Sequence, residues 1–479
     1  MTPDSRKDLS RFFARVDELQ GHFINRLRKA VEIPSISSYA ESRNDVLRMS
    51  ELLKAEMESL GIEVDLKPLG TEPCTSLELP PIILGQYGRD PQKPTILVYS
   101  HYDVQPASLS DGWDQDPWKL EITADGRLCG RGTSDDKGPL LNWLNMIEAF
   151  QTLGQDFPAN LLFWFEGMEE SGSTGLRAAL EEEAPKFAAD ADAVCVTDTI
   201  WASSSQPSIT QGLRGVLFYV ISITGAKQDA HSGMFGGQIS EPMTDMVSIM
   251  SSLVSSSGNI LIPGILDQVS PVTAEEKSSY ESLKLSEQDL DCGIGARALH
   301  ESAVDVLISR WRKPALSLHR IENAMPGAGA TTCIPARISG KFSIRTVPNM
   351  EASEVDGLVQ HHIQNHFDQL GSRNDLEIKC VHQSDWFFEN ASHWNYQAAI
   401  NATKTVWNHE PSVACEGGSI PVALDFKQVL KKNVLLLPVG RPTDGAHSIN
   451  EKLGKINYID SIKLYGSYLA ETARLWKAR

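Results

Sequence analysis

The chain has 479 residues, more than one ordinary core accommodates, so two domains are expected. Apolar content of 41% and charged content of 22% are those of a globular protein, and a formal net charge of -18 argues against nucleic acid or an anionic membrane as partner. Seven cysteines (74, 129, 195, 292, 333, 380 and 415), with no CxxC pair, suit a reducing compartment rather than a disulfide framework.

No apolar run approaches the roughly 20 residues that span a bilayer. Asp4, Asp8, Asp17 and Glu18 disfavour a targeting presequence, so a cytoplasmic location is expected. From the N-terminus, Leu9, Phe12, Val16, Leu19, Phe23, Leu27 and Val31 recur at three- and four-residue steps, which predicts an amphipathic helix over 6–31. A second helix is predicted from about Asp45 to Leu60, stopped by Gly61. Ile62–Leu66 and Ile82–Tyr87 read as strands.

Thr95–Ser100 is a buried strand running into His101-Tyr102-Asp103. Leu128 opens a short strand and the glycine turn Gly130–Gly138, followed by a helix over Pro139–Leu153. Leu161–Phe165 is an apolar run that leads into Glu166-Gly167-Met168-Glu169-Glu170. A helix near Thr174–Glu183 and the strand Ala193–Val196, ending in Thr197-Asp198, complete this part. Strands alternating with helices predict a layered α/β sheet, and ligands gather beyond the carboxyl ends of such strands.

After Gly212-Leu213-Arg214-Gly215 the texture changes. Val216–Thr224 alternates like an antiparallel strand, 229–237 reads as a loop, and Met243–Leu253 has helical periodicity. Residues 262–315 are polar and irregular, Ala336–Val347 is a strand and Glu354–Leu370 a helix. The α/β pattern resumes at Tyr396–Thr405, Val434–Val439 and the closing helix Tyr458–Trp476. The expected organisation is a layered α/β domain with a mixed sheet flanked by helices (1–211 and 387–479), interrupted by an inserted α+β unit (212–386). There is no internal repeat.

Several of these strands end in residues that carry chemistry. His101, Asp135, Glu170, Asp198 and His447 supply two imidazoles and three carboxylates, a set suited to two zinc or manganese ions with one carboxylate bridging. Adjacent acids at the end of a buried strand need a cation or a proton, so one of Glu169 and Glu170 is expected to bind metal while its neighbour moves protons. Glu166 reads either as a turn residue or as one that supports the site from behind. His361, His362 and His366 sit on a predicted helix without acidic partners and read as surface residues.

Five segments together carry a resemblance: His101-Tyr102-Asp103-Val104-Gln105-Pro106-Ala107, Gly130–Pro139, Glu166–Ser173, Asp229-Ala230-His231-Ser232-Gly233 and Gly445–Lys452. They resemble the two-metal exopeptidases that include aminoacylase, glutamate-releasing carboxypeptidases and carnosinases. Gly258–Gly264 and Glu416-Gly417-Gly418-Ser419-Ile420-Pro421-Val422 narrow the likeness to the cytosolic nonspecific dipeptidases, among them the Cys-Gly dipeptidases of glutathione turnover. The likeness runs from about residue 15 to 475, and it departs at Cys415, where the family carries arginine.

The resemblance implies roles. Asp135 bridges the two metals, His101 and Asp198 complete one site, and Glu170 and His447 complete the other. Asp103 orients His101 through its second ring nitrogen, Glu169 is the general base, and the Asp135–Asp136 peptide is cis. That Glu169 is base and Glu170 ligand rests on the resemblance alone. His231 is expected to reach across a homodimer, formed by the inserted domain acting as lid and dimerisation unit, into the partner's active site. Thr332, Arg345 and Ser419, with His231, are expected to contact substrate, and the Arg345 fork suits the C-terminal carboxylate of a short peptide.

The implied activity is hydrolysis of dipeptides, broad in specificity and including Cys-Gly, by a hydroxide shared between two divalent metal ions (Zn²⁺ or Mn²⁺). The alternative enzyme is a relative acting on N-acyl amino acids or longer peptides. A metal-free adaptor would have lost ligands, and all five are present. The sequence leaves open whether a partner protein recruits the chain to a larger peptide-degrading assembly.

Overall fold

The computed structural model describes residues 3–283, 285–286, 289–290, 296, 298–323 and 332–478. Cys292 lies outside the described residues, and the other six cysteines are free thiols. Among the described residues no helix is long and apolar enough to cross a membrane.

The strands, in chain order, are β1 (Glu63–Lys67), β2 (Ile82–Tyr87), β3 (Thr95–His101), β4 (Glu121–Ile122), β5 (Arg127–Cys129), β6 (Asn160–Glu166), β7 (Ala193–Val196), β8 (Ser208–Leu213) and β9 (Gly215–Thr224). They continue with β10 (Ala230–His231), β11 (Ala315–Glu322), β12 (Cys333–Ile334), β13 (Arg337–Thr346), β14 (Asp375–Ser384), β15 (Phe387–Phe388), β16 (Ser412–Glu416), β17 (Val434–Leu436) and β18 (Lys452–Gly454). The main sheet runs β1-β2-β6-β3-β7-β17-β8-β15, with β16 beside β8. It is mixed: β6, β3, β7 and β17 are mutually parallel, while β2 meets β6 antiparallel.

The apolar runs at the centre of this sheet are continuous because both faces are covered. Alternate side chains of one strand serve different cores. Ile96 and Val98 of β3, with Leu161, Phe163 and Phe165 of β6, join the core made with the helices Pro3–Val31, Arg43–Ser59, Lys137–Leu153, Trp394–Trp407 and Lys455–Trp476. Leu97, Tyr99, Leu162 and Trp164 point the other way, onto the helices Leu176–Phe187 and Pro421–Leu430. The mixed sheet between helical layers is the fold class the sequence predicts.

The chain leaves the main sheet after β8 and rejoins it at β15. Between them lies a four-stranded antiparallel sheet, β11-β13-β9-β14. The helices Pro242–Leu253 and Ala352–Leu370 pack on it through Met246, Ile249, Leu253, Val355, Val359 and Ile363. Two readings of this region need correction. Residues 229–237 are not simply a loop: β10 pairs with β12, and Ser232–Phe235 forms a helical turn. Of the three helix histidines only His361 is exposed. His362 and His366 are half-buried and bond Ser252 (3.1 Å) and Ser248 (3.0 Å) on the neighbouring helix.

Candidate active site

Three neighbouring strands of the main sheet deliver side chains to one place. β3 ends at His101, β6 ends at Glu166 and turns through Gly167-Met168 into Glu169-Glu170, and β7 ends two residues before Asp198. The turn needs a glycine at 167, because a Cβ there would run into the Tyr102 ring. Asp135 arrives on the glycine turn ahead of the helix Lys137–Leu153, and its peptide to Asp136 is cis, as the resemblance implied. His447 comes from the loop after β17, with φ at +59°.

Asp135 stands between two groups. One carboxylate oxygen is 3.0 Å from His101 Nε2, and the other is 3.0 Å from His447 Nε2. On the first side Asp198 lies 3.8 Å from His101 Nε2, and on the second Glu170 lies 3.0 Å from His447 Nε2. The donor atoms of His101, Asp135 and Asp198 lie within 4.8 Å of one another, and so do those of Asp135, Glu170 and His447. The five candidate ligands thus come together as two trios sharing one carboxylate.

The electrostatics suit cations. Burial pushes Asp198 well above its usual range, and Asp135, Asp136 and Glu169 add to the shift. Burial and Asp135 likewise raise Glu170. Asp135 itself is held well below the carboxylate range, because the two imidazoles outweigh its burial. Against a desolvation cost, Asp135 and Glu170 push His447 up to about 11. Carboxylates that oppose one another's ionisation are relieved by divalent ions, and an imidazole–carboxylate set without thiolate suits zinc or manganese. The residues present therefore fit two such ions.

Asp103 serves both halves of the site. His101 Nδ1 lies 3.1 Å from the Asp103 carbonyl and 3.4 Å from its carboxylate, so the nearer acceptor is the main chain rather than the predicted side chain. A proton held there leaves Nε2 free to ligate. The two carboxylate oxygens of Asp103 instead accept the backbone N–H groups of Glu169 (3.2 Å) and Glu170 (3.0 Å), which fixes the acidic turn against β3. Glu170 also accepts from Gln105 Nε2 at 2.7 Å. Among the described residues Glu169 joins no metal-type trio; burial, then the charges of Glu170, Asp103 and Asp135, push it up to about 8. Of the two readings of Glu166 the structure shows the supporting one: it is the buried end of β6, bonded by Tyr99 (2.7 Å) and Ser173 (2.9 Å).

A residue that sequence reasoning did not single out holds the Asp135 turn. The Glu451 carboxylate, fully buried, accepts from Arg131 Nη1 (2.8 Å), Gly132 N (3.0 Å), Ser134 N (2.9 Å), Ser134 Oγ (3.0 Å) and Asp135 N (3.1 Å). Its only sequence signal was its place in the Gly445–Lys452 segment.

A cavity of about 510 Å³ opens beside the trios and is lined by Glu169, Glu170, His447, Arg345, His382 and Ser419 among others. Arg345 Nη1 donates to Ser419 Oγ at 2.6 Å, and Ser419 in turn donates to the Arg214 carbonyl. Strand β13 of the second sheet thus lends an arginine to a cavity floored by the first. His382, near the end of β14, was not anticipated in the sequence. His231 and Thr332 lie elsewhere. Both are exposed, His231 on β10 and Thr332 just ahead of β12; Ser232 N bonds the Thr332 carbonyl at 3.0 Å, and neither His231 nor Thr332 lines this cavity.

The profile of Peptidase family M20/M25/M40 matches residues 97–473, and the chain belongs to this family. It is similar to the Cys-Gly metallodipeptidase dug1 of Schizosaccharomyces pombe, 47% identical, covering 98% of this chain and 99% of that protein. It is also similar to the Beta-Ala-His dipeptidase of Homo sapiens, 38% identical over 98% of this chain and 93% of that one. Among solved structures, the di-peptidase Dug1p from Saccharomyces cerevisiae superposes with a TM-score of 0.92 at 43% identity, covering 97% of this chain and 98% of that chain.

Proposed function

We propose that the chain is a metal-dependent dipeptidase that hydrolyses the peptide bond of dipeptides, Cys-Gly among them. The observation that carries this reading is the pair of trios joined through Asp135, with Glu169, pushed up to about 8 chiefly by burial, beside them. The relatives named above, matched over nearly their whole length, are dipeptidases by name, which favours this activity over one on N-acyl amino acids or longer peptides.

In this reading His101, Asp135 and Asp198 hold one cation, and Asp135, Glu170 and His447 hold the other, as Zn²⁺ or Mn²⁺. Bound there, the two ions would polarise the scissile carbonyl and lower the pKa of the attacking water. Glu169 takes a proton from that water at its carboxylate and hands one to the departing amine nitrogen. Asp103 keeps the Glu169–Glu170 turn in place. Arg345, propped by Ser419, pairs with the C-terminal carboxylate of the substrate, a contact that suits a peptide ending one residue after the scissile bond.

His231 and Thr332, exposed and outside the cavity, are assigned to the active site of a second copy in a homodimer formed through the 212–386 unit. The donor they present would face the developing oxyanion or the substrate's carboxylate. The scattered free thiols support a reducing, cytoplasmic setting. A substrate panel tests the activity: after loading with Mn²⁺ or Zn²⁺, dipeptides should outrun tripeptides and N-acetyl amino acids. Faster hydrolysis of N-acetyl amino acids would overturn the reading.

A further inference from the structure

Arg214 is the single residue between β8 of the main sheet and β9 of the second sheet, so the chain first passes from one unit to the other through it. β16 runs parallel to β8, with Glu416 opposite Leu213, and Gly417-Gly418-Ser419 continues past Arg214. Arg214 holds that segment at three successive residues. Its Nε donates to the Gly417 carbonyl at 2.8 Å, its backbone N–H donates to the Gly418 carbonyl at 3.0 Å, and its own carbonyl accepts the Ser419 hydroxyl. The last contact fixes what Ser419 offers Arg345. A hydroxyl has one proton, and with that proton on the Arg214 carbonyl only lone pairs face the Arg345 guanidinium. Arg345 Nη1 donates to Ser419 Oγ at 2.6 Å, which leaves the rest of its fork for a carboxylate in the cavity.

The segment needs a restraint from outside. Two consecutive glycines have the greatest backbone freedom, and neither has a side chain to pin it. Gly417 also makes room for the restraint: a Cβ there would stand 3.0 Å from Arg214 Nη2 and 2.9 Å from Arg310 Cγ. The Arg214 guanidinium thus lies against the main chain where a larger residue would push it off. Burial, then the like charges of Arg345 and Arg310, lower Arg214 to about 10, so at neutral pH it is still a cation and donates as one.

We infer that Arg214 is a positioning residue for recognition of the substrate's C-terminal carboxylate: it locks Gly417-Gly418-Ser419 so that Ser419 props Arg345 across the junction of the two units. The inference rests on the dipeptidase reading, in which Arg345 meets that carboxylate. Arg214 does not line the cavity and acts through Ser419 and Arg345. Of its three contacts only the one to Gly417 comes from the side chain, so a substitution loosens the segment without undoing the pairing of β16 with β8.

The test is a double-mutant cycle on Mn²⁺-loaded enzyme, with Arg214→Met, Arg345→Ala and the two combined. Ala-Gly is compared with alanyl-glycinamide, which lacks the carboxylate. Arg214→Met should raise KM for Ala-Gly about 10-fold with kcat nearly unchanged, and leave kcat/KM for the amide as it is. In the Arg345→Ala background the same substitution should cost little further, since the group it acts through is gone. A second readout, free of turnover, is the inhibition constant of a phosphinic dipeptide analogue with and without its carboxylate, whose ratio should shrink in Arg214→Met. Arg214→Lys keeps a charge and one donor but not the fork, and should recover part of the affinity. Losses that add in the double variant, equal losses on acid and amide, or no recovery in Arg214→Lys would overturn the inference. Melting temperature and metal content show whether Arg214→Met is folded; if it is not, the same cycle with Arg214→Lys decides by the same criteria of additivity and of acid against amide, with smaller losses expected. A wild type that treats acid and amide alike would remove Arg345 from the carboxylate and take this inference with it. A wild type that separates them, with the preference lost in Arg345→Ala and kept in Arg214→Met, sinks the inference alone.

Discussion

Glu451 and Arg131 form a buried ion pair, 2.8 Å apart, directly beneath the turn that presents Asp135. The same Glu451 carboxylate gathers the N–H groups of Gly132, Ser134 and Asp135, so one side chain from near the C-terminus sets the main chain of the bridging aspartate. Removing one partner of a buried pair costs about 3–5 kcal/mol, because the other charge is left uncompensated. Glu451→Ala should therefore melt well below the wild type. Glu451→Gln, which keeps the shape and some acceptors, should lose less stability yet bind Mn²⁺ more weakly in a calorimetric titration. Unchanged metal affinity in a folded Glu451→Gln protein would confine the role of Glu451 to stability.

Stability should depend on pH in a direction set by the crowded acids. Burial leads in pushing Glu166, Asp136 and Glu416 up to about 7 and Glu169 up to about 8. An acid with a raised folded pKa binds more protons folded than unfolded between its two values, so its contribution to stability is lost as pH rises through that window. The melting temperature of metal-free protein should thus fall from about pH 5 to about pH 7. Lys137, lowered to about 7 by burial, acts in the opposite sense only above that value. Adding Mn²⁺ should release protons and flatten the decline, since bound ions favour ionised ligands. Calorimetry in buffers of different ionisation enthalpy reads the proton release, and proton uptake on binding would contradict this account of the site.

Arg345 should govern substrate affinity. Its guanidinium reaches Ser419 at 2.6 Å within the cavity that also holds Glu169. Arg345→Ala should raise KM for Cys-Gly about 10- to 100-fold, the worth of hydrogen bonds to a charged group. Arg345→Lys keeps the charge but not the fork and should recover only part of the loss. Steady-state kinetics decide, and an unchanged KM would remove Arg345 from the substrate contacts.

The exposed placement of His231 yields a mixing experiment. In the proposed homodimer, the His231→Ala and Glu169→Gln proteins should each be nearly inactive. Random reassociation would then give heterodimers with one intact composite site, restoring about a quarter of wild-type activity. Recovery would require that the histidine come from the second copy. No recovery on verified mixing, or a fully active monomer by light scattering, would exclude that role.

The parts of this site legible in the sequence were those carried by short-range pattern. Buried strands announce themselves as apolar runs, so His101, Glu169, Glu170 and Asp198 could be placed at strand ends from spacing alone, and the mixed α/β sheet followed from alternation with helices. Asp135 and His447 sit in glycine turns that have no periodicity; their residue types suited a metal set, but which metal each would serve was legible only through the resemblance of their segments. Long-range partnerships were not legible. Glu451 lies more than 300 residues from the turn it holds, and nothing local marks a carboxylate as the acceptor for a distant main chain. His362 and His366 were read as surface residues because the sequence does not show that Ser252 and Ser248 face them across a helix pair. The 229–237 segment lacks strand periodicity, since its two-residue ladder is fixed by β12, about a hundred residues away.

The central claim is that two bound ions and a free Glu169 together cleave a dipeptide. The most direct test follows Cys-Gly hydrolysis while metal-stripped wild type and Glu169→Gln are titrated with Mn²⁺ or Zn²⁺. Activity of the wild type should be absent after stripping and return as two ions bind per chain. Glu169→Gln should bind the same two ions but turn over about 10²–10⁴-fold more slowly. Full activity in the stripped protein, saturation at one ion, or undiminished turnover by Glu169→Gln would contradict it.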